Sequence, residues 1–291
     1  MKIAIYSRIL SDNQTAFVCE LIQKLTVKNV EVLIYEPLVG LIKKQEASIA
    51  PLVSFKNSKE LKGVDYMFSV GGDGTLLESV SFVKKLTIPI LGINTGRLGF
   101  LTSASSNEID ATIEQVLNKD YDLDTRSMLD VDLQDHPFGE LNFALNEVTI
   151  QKRDSSSMII IHTYLDNVFL NSYWADGLII STPTGSTAYS LSCNGPIVLP
   201  NSGNIIITPI APHNLNVRPL VIPDNIEVRL KIEGRADNCL IALDYKSETI
   251  PMNSEIIIKK SSQQINLVRL KNHEFLSTLR NKLMWGLDKR N

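Results

Sequence analysis

A carboxylate set among glycines at a strand-to-helix junction is the residue pattern in this chain with the clearest chemical use. Gly71-Gly72-Asp73-Gly74-Thr75 follows the apolar run Tyr66, Met67, Phe68 and Val70, and it precedes the helical spacing of Leu76, Leu77, Val80 and Val83. Glycine permits positive φ and a close approach of backbone to ligand. The N–H groups that open the following helix favour an anion such as phosphate. A carboxylate beside bound phosphate is repelled by it, so Asp73 needs a purpose there. One purpose is to take the proton from a hydroxyl that attacks the phosphate. A plainer reading competes with this one. Asp between glycines is ordinary turn chemistry, and Thr75 with Glu78 makes a candidate capping box that needs no ligand.

Two further constellations weigh against the plainer reading. Asn146-Glu147 closes a β run, where the two side chains can hydrogen-bond the diol of a ribose, Glu accepting and Asn doing either. Taken alone, such a pair is equally a solvated strand end. Asp176-Gly177-Leu178-Ile179-Ile180-Ser181-Thr182-Pro183-Thr184-Gly185-Ser186-Thr187-Ala188-Tyr189-Ser190 is much longer. It puts an acidic residue at one end of a strand that runs into a loop of small hydroxyl residues. Thr187, Ser190 and Ser192 offer compact donors and acceptors, and Tyr189 offers a ring that can stack on a flat base. The sequence holds no GxxxxGK[ST], no GxGxxG after its first strand and no GxSxG. A P-loop, a Rossmann dehydrogenase and a serine hydrolase elbow are therefore disfavoured.

The elements that must position these residues are of two kinds. Strand-like runs at Ile3–Tyr6, Val30–Tyr35, Tyr66–Val70 and Ile88–Ile93 alternate with helical spacing at Thr15–Thr26, about Leu76–Lys85 and Glu108–Leu117. Such alternation predicts an α/β domain with a mainly parallel sheet over residues 1–120. Ligands lie beyond the carboxyl ends of strands in such sheets, and both glycine turns, 71–75 and Gly96-Arg97-Leu98-Gly99, fall there. From residue 121 to 273 short β runs dominate: Leu129–Leu133, Asn142–Gln151, Met158–Leu165, Gly177–Ser181, Ile205–Pro209, Ile226–Ile232, Cys239–Asp244, Glu255–Lys259 and Ile265–Leu270. These predict a β-rich, antiparallel, sandwich-like C-terminal domain, with a cleft between domains as the default ligand site. A final helix is expected over 274–286, packing back on the first domain, with Trp285 as its anchor.

Bulk properties exclude several classes. The 291 residues carry a net charge of −3 and no long basic run, which gives no support for a nucleic-acid partner. The hydrophobic content of 44% is that of a soluble globular protein. No stretch reaches the roughly 18 apolar residues that a membrane span needs, and the N-terminus has no signal-peptide pattern. Three widely spaced cysteines make no disulfide framework and fit a reducing cytoplasm. The four histidines lack zinc-ligand spacing, so no protein-held metal is expected.

Together, Gly71-Gly72-Asp73-Gly74-Thr75, Gly92-Ile93-Asn94 with Gly96-Arg97-Leu98-Gly99-Phe100-Leu101, Asn146-Glu147 and the block from Asp176 to Ser190 resemble the NAD kinase family in order and spacing. The first motif is shared with lipid kinases. The Thr-Pro-Thr-Gly-Ser-Thr-Ala-Tyr block is far more specific and favours NAD kinase over them. The resemblance implies transfer of the γ-phosphate of ATP, or of another donor, to the 2′-hydroxyl of the adenosine ribose of NAD. It implies Asp73 as proton acceptor, with Gly71, Gly72 and Gly74 along the phosphate and dinucleotide path. Asn146 and Glu147 match the pair at the nicotinamide-side ribose, and Asp176 matches a carboxylate near the nicotinamide half. Thr187, Ala188, Tyr189, Ser190, Leu191 and Ser192 match the stretch around the adenine and its ribose. Three substrate-binding positions depart from the family pattern: Ser157 where an Arg is frequent, Trp174 where a basic residue is frequent, and Lys246 where a Gln is common. His213 matches a recurrent position that a structural role explains equally well. Mg²⁺ carried on the ATP phosphates, and a homo-oligomer, dimer or tetramer, are implied in the same way. A lipid kinase and a non-catalytic dinucleotide sensor are the alternatives.

Overall fold

The computed structural model describes residues 1–8, 11–46, 49, 52–96, 99–153, 158–271 and 273–285. The chain divides into two compact units, one formed by Met1–Thr125 with Ile265–Asn291 and the other by Arg126–Gln264. Residues 265–273, which the sequence suggests for the β-rich domain, therefore cluster with the first unit.

The first unit opens with strand β1 (Lys2–Tyr6), helix α1 (Asp12–Val27), β2 (Glu31–Tyr35), α2 (Glu36–Gln45) and β3 (Val53–Phe55). It continues through β4 (Tyr66–Val70), α3 (Asp73–Val83), β5 (Ile90–Asn94), the short β6 (Ala104–Ser105) and α4 (Ile109–Leu117). β1 pairs in parallel with β2 and β4, β2 with β3, and β4 with β5. β4 and β5 are buried along their whole length, so they read as continuous apolar runs rather than as alternation. Helix α1 has a complete capping box between Ser11 and Gln14 and buries Val18, Leu21, Ile22 and Leu25. That spacing places its apolar stripe on one face of the helix.

α3 starts earlier than its apolar pattern suggests. Gly72 is its N-cap and Asp73 its first residue, so Thr75 lies inside the first turn and the expected Thr75–Glu78 capping box does not form. Glu78 instead accepts the Tyr6 hydroxyl at 2.8 Å and pairs with Arg8 at 3.2 Å. Gly71 has φ 151°, a conformation open to glycine because it lacks Cβ. It turns the chain from the end of β4 directly into the helix.

β7 (Tyr121–Leu133) carries the chain into the second unit, followed by β8 (Phe143–Ala144), β9 (Glu147–Lys152), β10 (Ile159–Leu165), β11 (Val168–Ala175) and β12 (Gly177–Ser181). A one-turn helix α5 (Tyr189–Ser192) precedes β13 (Asn204–Ile210), β14 (Leu220–Pro223), β15 (Val228–Gly234), β16 (Asn238–Leu243), β17 (Lys246–Pro251) and β18 (Glu255–Leu270). One antiparallel sheet runs β14-β13-β12-β9-β16-β17. In a second, β10 pairs with β11 and β15, and β15 pairs with the first half of β18. Val148, Ile150, Leu178 and Ile241 from the first sheet share a core with Ile161, Leu230 and Ile256 from the second. The unit is thus the β-rich, sandwich-like domain of the sequence reading.

β18 is one strand rather than two runs. Its second half belongs to the first unit, where Leu267 pairs in parallel with Ile90 of β5. Helix α6 (Phe275–Leu283) follows. Its buried residue is Leu279, whereas Trp285 is 52% exposed and so does not anchor it.

Candidate functional site

In the first unit the two glycine turns meet through Asp73. Its Oδ2 accepts the Phe100 N–H at 2.7 Å, while Oδ1 accepts the N–H groups of Leu101 and Thr102 at 3.1 and 3.2 Å. The Thr102 hydroxyl adds a weak contact to Oδ1 at 3.4 Å. A carboxylate that collects successive backbone N–H groups is a strong, charge-assisted acceptor, and here it ties the start of α3 to the segment after Gly99. A Cβ built on Gly99 would overlap the Asp73 carboxylate, which explains the glycine at that position. The Asp73 carboxylate thus turns onto this loop, while Gly72 and Gly74 at the opening of α3 are exposed. The first N–H groups of a helix have no intrahelical partner and suit an anion. Arg97 and Leu98 of the second turn, and the predicted binding residue Ser157, lie outside the described residues.

The second unit gathers another set. The Asp244 carboxylate, in the turn between β16 and β17, accepts the N–H groups of Leu145, Asn146 and Glu147 at 2.7, 2.8 and 3.1 Å. The Asn146 carbonyl accepts the Thr182 N–H at 2.9 Å, and a Cβ on Gly185 would strike that carbonyl. The Gly-Ser-Thr loop therefore packs directly on the Asn-Glu pair. Glu147 is buried, and among the described residues its Oε2 has no hydrogen-bond partner. Burial pushes its carboxyl up to about 8, the Asp244 charge adds to the rise, and a hydrogen bond from the Tyr189 backbone opposes it. Burial raises Asp244 as well, against its three N–H donors and Lys246.

The hydroxyl-rich loop is used more for its own folding than its composition suggests. Thr182 Oγ1 donates to Leu145 O at 2.6 Å, Ser186 Oγ bonds the Val198 backbone, and Ser190 Oγ lies 2.8 Å from Thr208 Oγ1 with no exposure. Thr187, Ala188 and Leu191 are partly buried, Ser192 is exposed, and Tyr189 receives a hydrogen bond from Gln151 Nε2 at 2.7 Å. Cys193 hydrogen-bonds Tyr189 and feels the Glu147 charge, so these three side chains are neighbours. Asp176 forms an ion pair with Lys152 at 2.7 Å. Trp174 is half exposed. Lys246 donates to Leu141 O at 2.7 Å and stands over the Phe143 ring at 4.3 Å. His213 is exposed and makes a backbone bond to Trp174. Among the described residues no three His, Cys, Asp or Glu side chains group as a metal site, and no helix is long and apolar enough to cross a membrane. Asp244, Lys152 and Cys193 are the neighbours that sequence reading missed. In the sequence Asp244 reads as the last residue of the β run Cys239–Asp244, whereas the strand ends at Leu243 and Asp244 lies in the turn.

Residues 7–121 match the ATP-NAD kinase N-terminal domain, and residues 145–270 match the ATP-NAD kinase C-terminal domain. The chain belongs to the ATP-NAD kinase family. A Cytophaga hutchinsonii protein named NAD kinase is 46% identical over 292 residues, covering 100% of both chains. A Christiangramia forsetii NAD kinase is 45% identical over 294 residues, again covering 100% of both. Among solved structures, an NAD kinase from Archaeoglobus fulgidus in complex with ATP aligns with TM-score 0.75 and 28% identity, over 98% of this chain and 99% of that one. Yeast NADH kinase complexed with NADH shares the fold, with TM-score 0.89 at 22% identity over 99% of this chain and 88% of that one.

Proposed function

We propose that this chain phosphorylates the 2′-hydroxyl of the adenosine ribose of NAD with the γ-phosphate of ATP, giving NADP and ADP. The observation that carries the reading is the full-length similarity to proteins named NAD kinase. In this reading the ribose oxygen forms a bond to the γ-phosphorus as the bridging P–O bond to ADP breaks. The hydroxyl proton passes to Asp73. A positioned base of this kind contributes roughly 10²–10⁴-fold. Oδ2 of Asp73 accepts the Phe100 N–H, and its second lone pair is the one suited to take the proton while the backbone bonds to Oδ1 stay in place. Gly71, Gly72 and Gly74 leave the helix start open for phosphate. Asn146 and Glu147 hold a ribose, Asp176 faces the nicotinamide half, and the stretch Thr187–Ser192 holds the adenine end, with Tyr189 as the stacking ring. Ser157, Trp174 and Lys246 complete the set.

A divalent ion brought in on the nucleotide belongs to this reading. Mg²⁺ on the triphosphate supplies neutralisation of the phosphate charge. A homo-oligomer in the cytoplasm belongs to the same reading. Purified protein incubated with NAD, ATP and Mg²⁺ should yield NADP, detected with an NADP-specific dehydrogenase. Failure with ATP and with polyphosphate would defeat the proposal. Asp73→Asn should lower turnover by roughly 10²–10⁴-fold while NAD binding persists in calorimetry. Full activity in that variant would remove Asp73 from the base role.

A further inference from the structure

The Asn146–Glu147 pair does not hold its own position. It sits where β8 ends and β9 begins, and an irregular segment of this kind leaves backbone N–H groups without ladder partners. All three consecutive N–H groups, from Leu145 to Glu147, point at one acceptor, the Asp244 carboxylate. Asp244 is suited to the task by its own backbone. It stands at φ 53° in the two-residue connection between β16 and β17, a conformation that Asp tolerates well, and its N–H returns to the Glu147 carbonyl at 3.1 Å. The contact is therefore reciprocal, hairpin turn to strand start. Glu147, whose buried Oε2 lacks a partner among the described residues, is the side chain whose aim depends on it.

We propose that Asp244 is a positioning residue that fixes the Asn146–Glu147 pair for the dinucleotide ribose. The assignment rests on the reading of that pair as a dinucleotide-binding element. A carboxylate is needed because three converging donors require an acceptor-only group. Asn at 244 would turn an amide N–H against one of them. The same charge acts on the Glu147 side chain, whose other neighbours are the Tyr189 backbone and Cys193.

The test compares Asp244→Asn, Asp244→Glu and Glu147→Gln in steady-state kinetics with NAD and ATP across pH. Asp244→Asn should raise KM for NAD about tenfold with KM for ATP nearly unchanged, the mark of lost positioning at one substrate. The pH inflection of KM for NAD should move to lower pH, because the charge that raises Glu147 is gone. Asp244→Glu keeps the charge but misplaces the oxygens, so it should raise KM for NAD without that movement of the inflection. Glu147→Gln should abolish the inflection. If Glu147→Gln alters KM for NAD and Asp244→Asn, folded, does not, the positioning role is overturned. If neither alters it in an active enzyme, the reading of the pair itself is wrong. Should both Asp244 variants fail to fold, hydrogen exchange on the unmodified protein decides. Slow exchange at Leu145, Asn146 and Glu147 that NAD slows further is expected, and exchange there as fast as in exposed turns overturns the proposal.

Discussion

At the scale of single residues the chain uses one device twice. Asp73 gathers the N–H groups of Phe100, Leu101 and Thr102, and Asp244 gathers those of Leu145, Asn146 and Glu147. Each carboxylate lets a stretch of backbone leave regular structure without orphaning its donors. Glycine is part of the first device, because Gly99 lies against the Asp73 carboxylate. Gly99→Ala should therefore cost about 1–3 kcal/mol, as overpacking does, and should lower turnover with it. Urea unfolding of the variant measures the first and the coupled assay the second. Unchanged stability would show that the segment shifts freely. Glu147 carries a second prediction. Its carboxyl rises from an ordinary 4.5 to about 8 in the folded chain. Between those values the folded protein keeps a proton that the unfolded chain has released, so stability falls as pH rises through the window. Asp244, also raised, acts with the same sign. Glu147→Gln stays neutral throughout and should flatten the fall in Tm across that window, read by differential scanning fluorimetry. A parallel slope in variant and parent would mean that Glu147 is ionised in the fold.

At the scale of elements, the sequence was most legible where both faces of an element are buried. β1, β4 and β5 announce themselves as apolar runs, and α1 and α4 by spacing. Of the strands that escaped reading, β3, β11, β14 and β17 lie at sheet edges, and β6 is a two-residue strand that pairs with β5. In β17 the exposed positions carry Ser247, Glu248 and Thr249, which dilutes the apolar period. β3, β11 and β14 instead expose Val53, Val168, Phe169 and Val221, so apolar residues there do not mark one buried face. The start of α3 was misplaced for a different reason: Gly72 caps the helix with no side-chain bond, and a polar first turn carries no apolar signal. The residues of the candidate site can be singled out by type because chemistry restricts them. Asp244 could not, because it closes the apolar run Cys239–Asp244 and its three backbone donors lie about a hundred residues away in sequence. Trp285 was over-read, since a large aromatic near a helix end does not by itself imply burial. Leu279→Ala should cost about 2–3 kcal/mol, while Trp285→Ala should stay within about 0.5 kcal/mol. Thermal melts of the two variants separate these outcomes, and a larger loss for Trp285→Ala would reinstate it as the anchor.

At the scale of the whole molecule, the path of the chain matters more than the residue count of either unit. The first unit is not finished when β7 leaves it at Thr125. It is completed only when the second half of β18 arrives, about half the chain later, with Leu267 beside Ile90 and with Val268 and Leu270 in the core. Ser103 also donates to the Val268 carbonyl at 2.6 Å. Burying three such side chains is worth roughly 5–9 kcal/mol in total, which is of the order of the whole stability of a domain, about 5–15 kcal/mol. A chain ending at Gln264 should therefore lose cooperative folding of the first unit, even though none of Met1–Thr125 is altered. The second unit keeps Glu255–Gln264 to pair with β15, so the β signal in circular dichroism should persist as the helical signal collapses. A chain ending at Leu270 removes helix α6 but retains the strand. It should melt cooperatively at a lower temperature, because Leu279 is the buried contribution of that helix. If the Gln264-terminated chain instead unfolds in one sharp transition near the parent Tm, the first unit is complete by Thr125 and the strand is an accessory.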